Sequence, residues 1–414
     1  MKPGHKLLIA TLSLAGSAAL PLSGAAFDWP RWRGPDINGV SHEDSGSTGW
    51  PKEGPNQLWK ANVGTGFSSV AVAQGRVFTL GNAQETDTLF CFNADTGAVV
   101  WKHSYACPLD PKYYEGGPGS TPTVEAGRVY TLSKRGHLFC FEAASGDVVW
   151  QRNLIEELGV AKPEWGFAGS PLVEGDLVLL NLGSAGTAVQ RKTGRVVWTS
   201  GKEMAGYATP VPFRSGGQRC ALVFAAKALV AVNASTGAEL WRLPWVTRWN
   251  INAADPVLAG DGVFVSTFDQ GGALLQLGDG KPAERWRCKE MGNHFNSCVL
   301  VGDYLYGVDG NTDKPGAELR CLSLKTGQVQ WSHRGLGLGS LMAADGKLIV
   351  LSDAGLLIVA EASPAEFKPL AQAQVLGGKC WTVPVLSNGR IYCRNAKGDV
   401  VCVDVSGKQT PKAE

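Results

Sequence analysis

Residues 120–150 read STPTVEAGRVYTLSKRGHLFCFEAASGDVVW, and this stretch decides how the chain folds. It contains a short extended segment, TPTVEA, and two alternating segments, GRVYTL and HLFCFEA, on either side of the glycine-containing turn KRG. Alternation of this kind, interrupted by glycine turns, is typical of antiparallel strands. Because the closing hexad SGDVVW begins one more strand, the stretch predicts a four-stranded antiparallel unit.

The closing hexad recurs along the chain. A Thr or Ser is followed by Gly, and a Trp stands five positions after the first residue, in TGAVVW (96–101), SGDVVW (145–150), TGRVVW (193–198), TGAELW (236–241) and TGQVQW (326–331). No ionisable residue is common to the copies, as a catalytic or metal-binding motif would require. Glycine suits a tight turn, and burying an indole contributes about 4–6 kcal/mol at roughly 25 cal/mol per Å². We therefore interpret the hexad as a structural joint between units.

The unit repeats along the chain with two departures and one gap. Residues 254–286 keep Trp286 at a longer distance from the turn, and residues 339–367 place Phe367 where Trp is expected. Residues 382–405 form a last copy that stops before its fourth strand. The segment QLWKANV at 57–63 stands alone before the first copy, so it supplies the missing strand.

Counted with that strand, seven tryptophans recur at intervals of 42 to 49 residues and are predicted to dock one unit on the next. They are Trp59, Trp101, Trp150, Trp198, Trp241, Trp286 and Trp331. Four strands per period of about 40–50 residues predict an all-β fold, an eight-bladed β-propeller of four-stranded antiparallel blades. The strand at 57–63 completes the last blade and closes the ring, which removes open sheet edges. A seven-bladed ring and a linear β-solenoid are the alternatives.

The composition fits a large globular core. Of 414 residues, 44% are hydrophobic and 18% are charged, and the formal net charge is +2. This near balance, without a run of Lys or Arg, gives no reason to expect a nucleic-acid partner.

The N-terminus has the pattern of a secretory signal peptide. Lys2 and Lys6 precede the apolar run LLIATLSLAGSAALPL, and the small residues SGAA follow it. A membrane anchor is the alternative, but the run is short and is interrupted by Gly and Pro. We predict a signal peptide at 1–26, an N-terminal extension at 27–56, the propeller at 57–405 and a C-terminal tail at 406–414. The mature protein is then exported, periplasmic or secreted, and has no membrane span.

The ten cysteines do not have the spacing of a disulfide framework. Four of them fall at one equivalent position of the repeated strand, where a small buried apolar residue suits the pattern. They are Cys91, Cys140, Cys321 and Cys402. No CxxC motif and no adjacent pair occurs, and Cys288 with Cys298 is the first pair to test as a disulfide.

The repeat GRVY…LxCxxAxTGxVVW resembles those of pyrroloquinoline quinone (PQQ) dehydrogenases, whose eight-bladed propellers carry tryptophan-docking motifs. The resemblance covers residues 57–405. The segment FDWPRWRGPDINGVS at 27–41 is also similar to the start of exported PQQ-like propeller proteins of uncharacterised activity. Non-catalytic relatives share the repeat, among them the propeller lipoprotein of the outer-membrane assembly machinery, whose lipid-attachment cysteine this chain lacks. The resemblance is therefore specific for the fold and weak for the function.

For an enzyme, the resemblance implies PQQ and Ca²⁺ on the propeller axis, held by carboxylate and Asn ligands beside an Asp base. Calcium needs about six to eight oxygen ligands. The disulfide between adjacent cysteines that often stacks on the quinone is absent from this sequence, and so is the haem motif CxxCH. PQQ and Ca²⁺ therefore stay open as cofactors through the resemblance alone.

Candidate site residues lie in loops that lead into the innermost strands, which face the central funnel. The loop RWNINAADP at 248–256 contains Asp255, the candidate catalytic base, whose alternative role is a structural cap because it replaces the Thr or Ser that precedes Pro in other copies. The candidate cofactor-binding residues are Glu115, Glu164, Trp165, Arg248, Asn250, Asn252, His294 and Trp381. The indoles offer flat faces to a planar cofactor or a sugar. No metal site is assigned.

Three functions fit these features. The first is an exported scaffold that binds a small molecule, a saccharide or an envelope protein. The second is a PQQ- and Ca²⁺-dependent alcohol or sugar dehydrogenase, and the third is a hydrolase or lyase acting on polysaccharide. The motifs GxSxG, HExxH, the P-loop and a helix-opening GxGxxG are all absent, so the enzyme functions rest on loops from several blades.

Overall fold

Eight antiparallel sheets follow one another in the computed structural model, which describes Met1, residues 27–278 and residues 280–407. The predicted signal peptide, apart from Met1, and the predicted tail after Gly407 lie outside the described residues. In seven sheets the four blade strands follow sequence order from the axis outward, and one of these sheets gains a fifth strand. In the eighth sheet an N-terminal strand takes the outermost position. The predicted eight-bladed β-propeller is therefore confirmed. No helix in the described ranges is long and apolar enough to cross a membrane.

Blades 1 to 4 are each built from four consecutive strands. Blade 1 contains β3 (Ala71–Ala73), β4 (Arg76–Ala83), β5 (Thr86–Asn93) and β6 (Val99–Ala106). Blade 2 contains β7 (Thr123–Glu125), β8 (Arg128–Leu132), β9 (His137–Glu142) and β10 (Val148–Asn153), followed by the one-turn helix α1 (Leu154–Leu158). Blade 3 contains β11 (Leu172–Glu174), β12 (Leu177–Leu180), β13 (Thr187–Gln190) and β14 (Val196–Thr199). Blade 4 contains β15 (Val211–Ser215), β16 (Gln218–Ala225), β17 (Ala228–Asn233) and β18 (Glu239–Pro244).

Blades 5 to 8 include the two strands from the N-terminal part of the chain. Blade 5 contains β19 (Val257–Ala259), β20 (Gly262–Thr267), β21 (Gly271–Gln276) and β22 (Ala283–Cys288). Blade 6 contains β23 (Val299–Val301), β24 (Tyr304–Asn311), β25 (Lys314–Ser323) and β26 (Val329–Arg334). Blade 7 contains β27 (Ser340–Ala344), β28 (Lys347–Leu351), β29 (Leu356–Glu361) and β30 (Pro369–Gln374), with β1 (Val40–Ser41) parallel to β27. Blade 8 contains β31 (Val385–Ser387), β32 (Arg390–Arg394), β33 (Asp399–Asp404) and β2 (Asn56–Asn62).

Ring closure follows the sequence prediction. Strand β2 pairs antiparallel with β33, so the strand expected at 57–63 is observed one residue earlier, at Asn56–Asn62. The short first strands of neighbouring blades contact one another and therefore surround the axis. The pairing of β1 with β27 was not predicted.

Each hexad takes part in two joints, as the second blade shows. The Trp150 indole N–H donates to the Arg191 carbonyl oxygen in blade 3 at 3.0 Å. The same ring covers Gly194, the glycine of the next hexad, where an added Cβ would lie 2.6 Å from a ring carbon. Gly194 also has φ of +70°, which favours glycine. The Trp of one hexad and the Gly of the next therefore form one joint.

The same contacts recur around the ring. Indole-to-carbonyl bonds of 2.8–3.0 Å join Trp59 to Ala94, Trp101 to Ala143, Trp198 to Ala234, Trp286 to Leu324 and Trp331 to Ser363. Trp rings cover the glycines Gly97, Gly146, Gly237 and Gly327 in the same way. Trp241 is buried in a cluster that includes Val263 and Leu275 of blade 5. These contacts support the interpretation of the hexad as a joint.

The repeated cysteines lie opposite the repeated tryptophans. Across the last strand pair of four blades, the facing residues are Cys91 and Trp101, Cys140 and Trp150, Cys321 and Trp331, and Cys402 and Trp59. All four thiols are buried, and burial raises the pKa of Cys91 to about 11. All ten cysteines are free, so Cys288 and Cys298 are not bonded as a disulfide in this structure.

The joint between blades 7 and 8 differs from the others, and the assignment of Phe367 to the Trp position is wrong. The bulged register of β29 and β30 pairs Val359 with Ala371, which places Ala371 where other blades have Trp. Phe367 precedes β30 and instead packs on Trp331 of blade 6, with ring centroids 5.7 Å apart. The sequence prediction counted residues from the turn. The residue at the Trp position is set instead by the strand register, which places Ala371 there.

Residues 46–54 of the N-terminal extension fill that joint, and we call them the wedge. In blade 8 the Val405 carbonyl oxygen is equivalent to the oxygens that accept Trp bonds elsewhere, and it accepts from the Ser47 N–H at 2.6 Å. The Trp50 indole donates to the Ser47 carbonyl oxygen at 2.6 Å and packs on the core shared by blades 7 and 8. The wedge therefore occupies the place of the missing tryptophan.

A substitution tests the hexad joint. Trp150→Ala removes both the buried ring and its bond to the Arg191 carbonyl, and we expect a loss of about 3–5 kcal/mol of unfolding free energy. Trp249→Ala is the matched control because its side chain is 55% exposed and the loss should be small. Denaturant titration measures both. Equal stability of the Trp150 variant and the parent protein would contradict the joint.

A pair of glycines tests the wedge. Gly46 has φ of +82°, and an added Cβ there would clash with the Val405 carbonyl oxygen, whereas the nearest atom to a Cβ on Gly49 is Ser47 Oγ at 3.7 Å. We expect Gly46→Ala to lower stability by about 1–3 kcal/mol and to speed hydrogen exchange of the Ser47 N–H. Gly49→Ala should change neither quantity. Similar behaviour of the two variants would show that the wedge is not tightly seated.

Candidate functional site

An open cavity of about 820 Å³ lies on the axis, at the end where the chain enters the first strands of the blades. Its wall comes from the loops before β3, β7, β11, β15, β19, β23 and β31. Five of these loops, those before β7, β11, β19, β23 and β31, hold the candidate residues predicted from the sequence. Seven of those residues line the cavity: Glu164, Trp165, Arg248, Asn250, Asp255, His294 and Trp381.

Two candidate residues have other positions. Glu115 pairs with the ammonium group of Lys379, 2.9 Å away, and is not among the residues that line the cavity. Asn252 is fully buried, and its amide donates to the carbonyl oxygens of Ala225 and Trp245. These hydrogen bonds hold the loop of Asn252 against blade 4. The buried amide nitrogen is already bonded to backbone carbonyl oxygens and is therefore not directed at a ligand.

Asp255 belongs to a belt of hydrogen bonds that joins consecutive blades, which we call the hydroxyl belt. In each step a backbone N–H donates to a side-chain oxygen of the next blade. The steps run from Ser69 to Thr121, Thr121 to Ser170, Ser170 to Thr209, Thr209 to Asp255 and Asp255 to Ser297, at 2.7–3.1 Å. Asp255 Oδ1 takes the place of a hydroxyl in this belt, which supports the alternative of a structural cap.

The second oxygen of Asp255 holds the N-terminal segment. Asp255 Oδ2 accepts from the Trp32 indole N–H at 2.5 Å, and Trp32 lines the cavity. The Asp255 side chain is 5% exposed, and burial raises its pKa, while the buried Arg33 guanidinium opposes that shift. Both Asp255 oxygens therefore accept hydrogen bonds, and the carboxylate holds the Trp32 side chain in place at the cavity.

Residues 29–41, the axial segment, run beside the first strands of several blades. Trp29 exchanges backbone hydrogen bonds with Val72 of β3, the Pro30 carbonyl accepts from Val124 of β7, and the Gly39 carbonyl accepts from Ala343 of β27. The segment therefore satisfies backbone groups of three first strands below the cavity. It closes the funnel on that side.

Six rings form a continuous series along one side of the cavity, which we call the aromatic arc. Its members, in order, are Tyr114, Phe67, Trp381, Phe295, His294 and Phe268, with neighbouring centroids 4.9–5.7 Å apart. On the other side Trp165 packs against Tyr207, with centroids 5.9 Å apart. Aromatic rings therefore line much of the cavity.

His294 behaves as a neutral member of the arc. Burial lowers its pKa to about 4, and its Nδ1 accepts from the Thr312 N–H at 3.2 Å. The imidazole is thus uncharged near pH 7 and presents a ring face. The sequence had suggested a polar role for this residue.

The sequence analysis missed most of the aromatic wall. Four of the missed rings stand directly before, or within three residues of, the Ser or Thr that leads into a first strand, in FSS (67–69), FAGS (167–170), YAT (207–209) and FNS (295–297). This repeated aromatic position was a signal that attention to charged and amide residues passed over.

The carboxylates of the cavity do not converge. Glu164 is exposed and bonds Lys112 at 2.8 Å, Asp313 is exposed, and Asp255 is buried in the belt. Within residues 27–278 and 280–407, no group of three or more His, Cys, Asp and Glu side chains is arranged to hold a metal ion. Since Ca²⁺ needs six to eight oxygen ligands, this donor set does not fit a PQQ–calcium pair.

Comparison with known proteins identifies relatives of the fold. Residues 40–111 and 111–333 match a family model described as outer membrane protein assembly factor BamB. Among curated proteins, none matches the chain in sequence.

Solved structures with the same architecture include a BamB protein and two dehydrogenases. BamB from Moraxella catarrhalis has a TM-score of 0.62 at 13% identity, over 84% of this chain and 99% of that one. Quinohemoprotein alcohol dehydrogenase from Comamonas testosteroni has a TM-score of 0.70 at 14% identity, over 94% and 82%. A europium-containing methanol dehydrogenase has a TM-score of 0.66 at 12% identity, over 91% and 89%. At these identities the likeness shows the fold alone.

Substitution of Asp255 separates positioning from catalysis. Asp255→Ala leaves the Thr209 and Trp32 N–H groups without their acceptor, and we expect each to cost about 1–3 kcal/mol of unfolding free energy. Asp255→Asn keeps the oxygen that accepts from Thr209 and should lose less. Thermal melting compares the two variants with the parent protein, and an unchanged melting temperature in Asp255→Ala would contradict the positioning role.

Proposed function

We propose, from the premise that this chain belongs to the family described as outer membrane protein assembly factor BamB, that it is an exported binding module whose ligand enters the axial cavity. Residues 1–26 direct export in this proposal, and the mature protein acts in the periplasm. The ligand is held by the wall and no chemical step is catalysed. Residues 27–56 serve as an extension that closes the ring, and residues 57–405 form the propeller.

The single observation that carries this proposal is the aromatic wall of the cavity. A concave, largely apolar cavity with a few polar groups is the usual form of a ligand site. At about 820 Å³ it has the size of sites that take drug-sized or larger ligands. The blade interfaces are filled with side chains and leave the axis as the space for such a ligand.

The dehydrogenase hypothesis has less support from the cavity. Its base would be Asp255, whose two oxygens accept from Thr209 and Trp32. A carboxylate oxygen keeps a second lone pair after it accepts one hydrogen bond, but Asp255 is only 5% exposed, so little of it can reach the proton that a general base removes. The names of the enzyme neighbours describe those proteins, and their likeness to this chain lies in the fold.

A polysaccharide hydrolase has less support for a related reason. Glycosidases need two carboxyl groups on either side of the scissile bond. Of the three acidic residues that line the cavity, Asp255 is buried in the belt and Glu164 is paired with Lys112, which leaves Asp313. The same wall therefore favours binding without cleavage.

Reconstitution distinguishes binding from redox catalysis. The purified mature protein is incubated with PQQ and Ca²⁺, and melting temperature and dye-linked oxidation of alcohols and sugars are measured. We expect no turnover and no shift in melting temperature beyond that caused by Ca²⁺ alone, because the carboxylates do not converge on the axis. Stabilisation by PQQ together with turnover that is lost in Asp255→Asn would overturn the proposal in favour of the dehydrogenase.

A further inference from the structure

Two aromatic side chains stand exposed at the mouth of the cavity, where they continue its aromatic wall outward. Tyr113 lies in the loop before blade 2 and is 95% exposed, and Trp249 lies in the loop before blade 5 and is 55% exposed. Both residues line the cavity. Large aromatic side chains are costly to leave in water, so two of them at one mouth indicate a contact surface.

Two residues of this rim have backbone in the left-handed region. Tyr113 has φ of +60°, and Asn250, the residue after Trp249, has φ of +55°. For residues other than glycine, the left-handed region costs roughly 1–2 kcal/mol and is concentrated at functional sites. The Arg248 N–H donates to Asp269 at 2.7 Å, and Lys112 bonds Glu164 at 2.8 Å, so both loops are tied down.

The polar groups of the mouth lie at the edges of this aromatic surface. Arg248, Glu164, Asn250, Thr312 and Asp313 line the outer part of the cavity, and their charges nearly balance. Pyranose rings present C–H groups on one face and hydroxyl groups at the edge, so flat aromatic faces bordered by amide, hydroxyl and carboxylate groups match them. A near-balanced mouth suits a neutral ligand better than a polyanion.

An extended peptide fits the same wall less well. The backbone N–H groups at the start of the first strands, including those of Ser69, Thr121 and Ser170, donate within the hydroxyl belt. They are therefore not available to pair with a further strand, as β-augmentation requires. The cavity also offers few aliphatic side chains, with Met204 and Ile251 as the larger ones.

We propose that the cavity binds a neutral oligosaccharide, whose inner sugar units stack on the aromatic arc and whose outer units extend between Tyr113 and Trp249. This inference rests on the proposed binding function and names its ligand class. One end of the oligosaccharide lies inside the cavity, and the rim contacts the sugar units that extend out of it. Affinity then rises with the length of the oligosaccharide until its outer units lie between Tyr113 and Trp249.

Calorimetric titration with neutral sugars of defined length tests this inference. The probes are glucose and the hexasaccharides of α-1,4-glucose, β-1,4-glucose and β-1,4-N-acetylglucosamine, each with its disaccharide. We expect at least one hexasaccharide to bind more tightly than its disaccharide by tenfold or more. Trp249→Ala and Tyr113→Ala should each weaken that hexasaccharide by about tenfold, which corresponds to 1.4 kcal/mol, and leave the disaccharide unchanged. Trp381→Ala should weaken both lengths.

The matched control is Val100→Ala, which removes an exposed apolar side chain on the outer strand of blade 1 and should leave every affinity unchanged. Melting temperatures of all variants show whether the fold is intact. Equal loss of disaccharide and hexasaccharide affinity in the rim variants, or no binding of any hexasaccharide, overturns the oligosaccharide proposal. Binding of an apolar peptide that is lost in Trp381→Ala also overturns it and leaves the binding function standing, whereas PQQ-dependent turnover overturns the binding function itself.

Discussion

Five of the eight joints in the ring depend on the contact between a repeated tryptophan and the glycine of the next hexad. The indole lies so close to the glycine that an added Cβ would be 2.5–2.6 Å from a ring carbon at five joints, and the indole N–H bonds a carbonyl of the following blade. A four-stranded blade cannot bury both of its faces by itself. Each hexad contributes to two interfaces, since its Gly contacts the Trp of the preceding blade and its Trp contacts the following blade.

The same constraint explains why the N-terminal segment has so many roles. Blade 7 has Ala371 at the Trp position, so one joint of the ring has no indole of its own. The chain before the propeller supplies the missing contacts in order: the axial segment lies below the cavity, the wedge fills the joint between blades 7 and 8, and β2 completes blade 8. Closure of the ring and closure of the cavity floor are therefore properties of one continuous segment.

Most of the fold was predictable because its signals are local. Strand alternation, glycine turns and the hexads each occupy a few residues, and the lone strand at 57–63 revealed closure by its position alone. Phe367 was misassigned because the turn before β30 is longer than in the hexad blades: Ala371 follows Ala362 by nine positions, whereas Trp101 follows the equivalent Ala94 by seven. The cavity loops were also predictable, since every blade enters its first strand at the same end.

Individual site residues were harder to predict, because the turn of each loop decides which side chain faces the axis. Within one loop Asn250 and Asp255 line the cavity, whereas Asn252 turns inward and is fully buried. Polarity alone does not distinguish these residues.

The role of Asp255 shows how a repeat can mimic a catalytic residue. The resemblance to quinoproteins implies an Asp base near the axis, and this chain has an Asp there, but its position is that of a belt hydroxyl in the other blades. A carboxylate in that place satisfies the Thr209 N–H and still has an oxygen for Trp32, which a Ser or Thr could not hold as well. Residue type at a repeated position is thus explained first by the repeat, and chemistry must be sought where the blades differ. They differ in the loops around the mouth of the cavity, where Tyr113 and Asn250 have left-handed backbone and the neutral imidazole of His294 keeps the wall aromatic rather than charged.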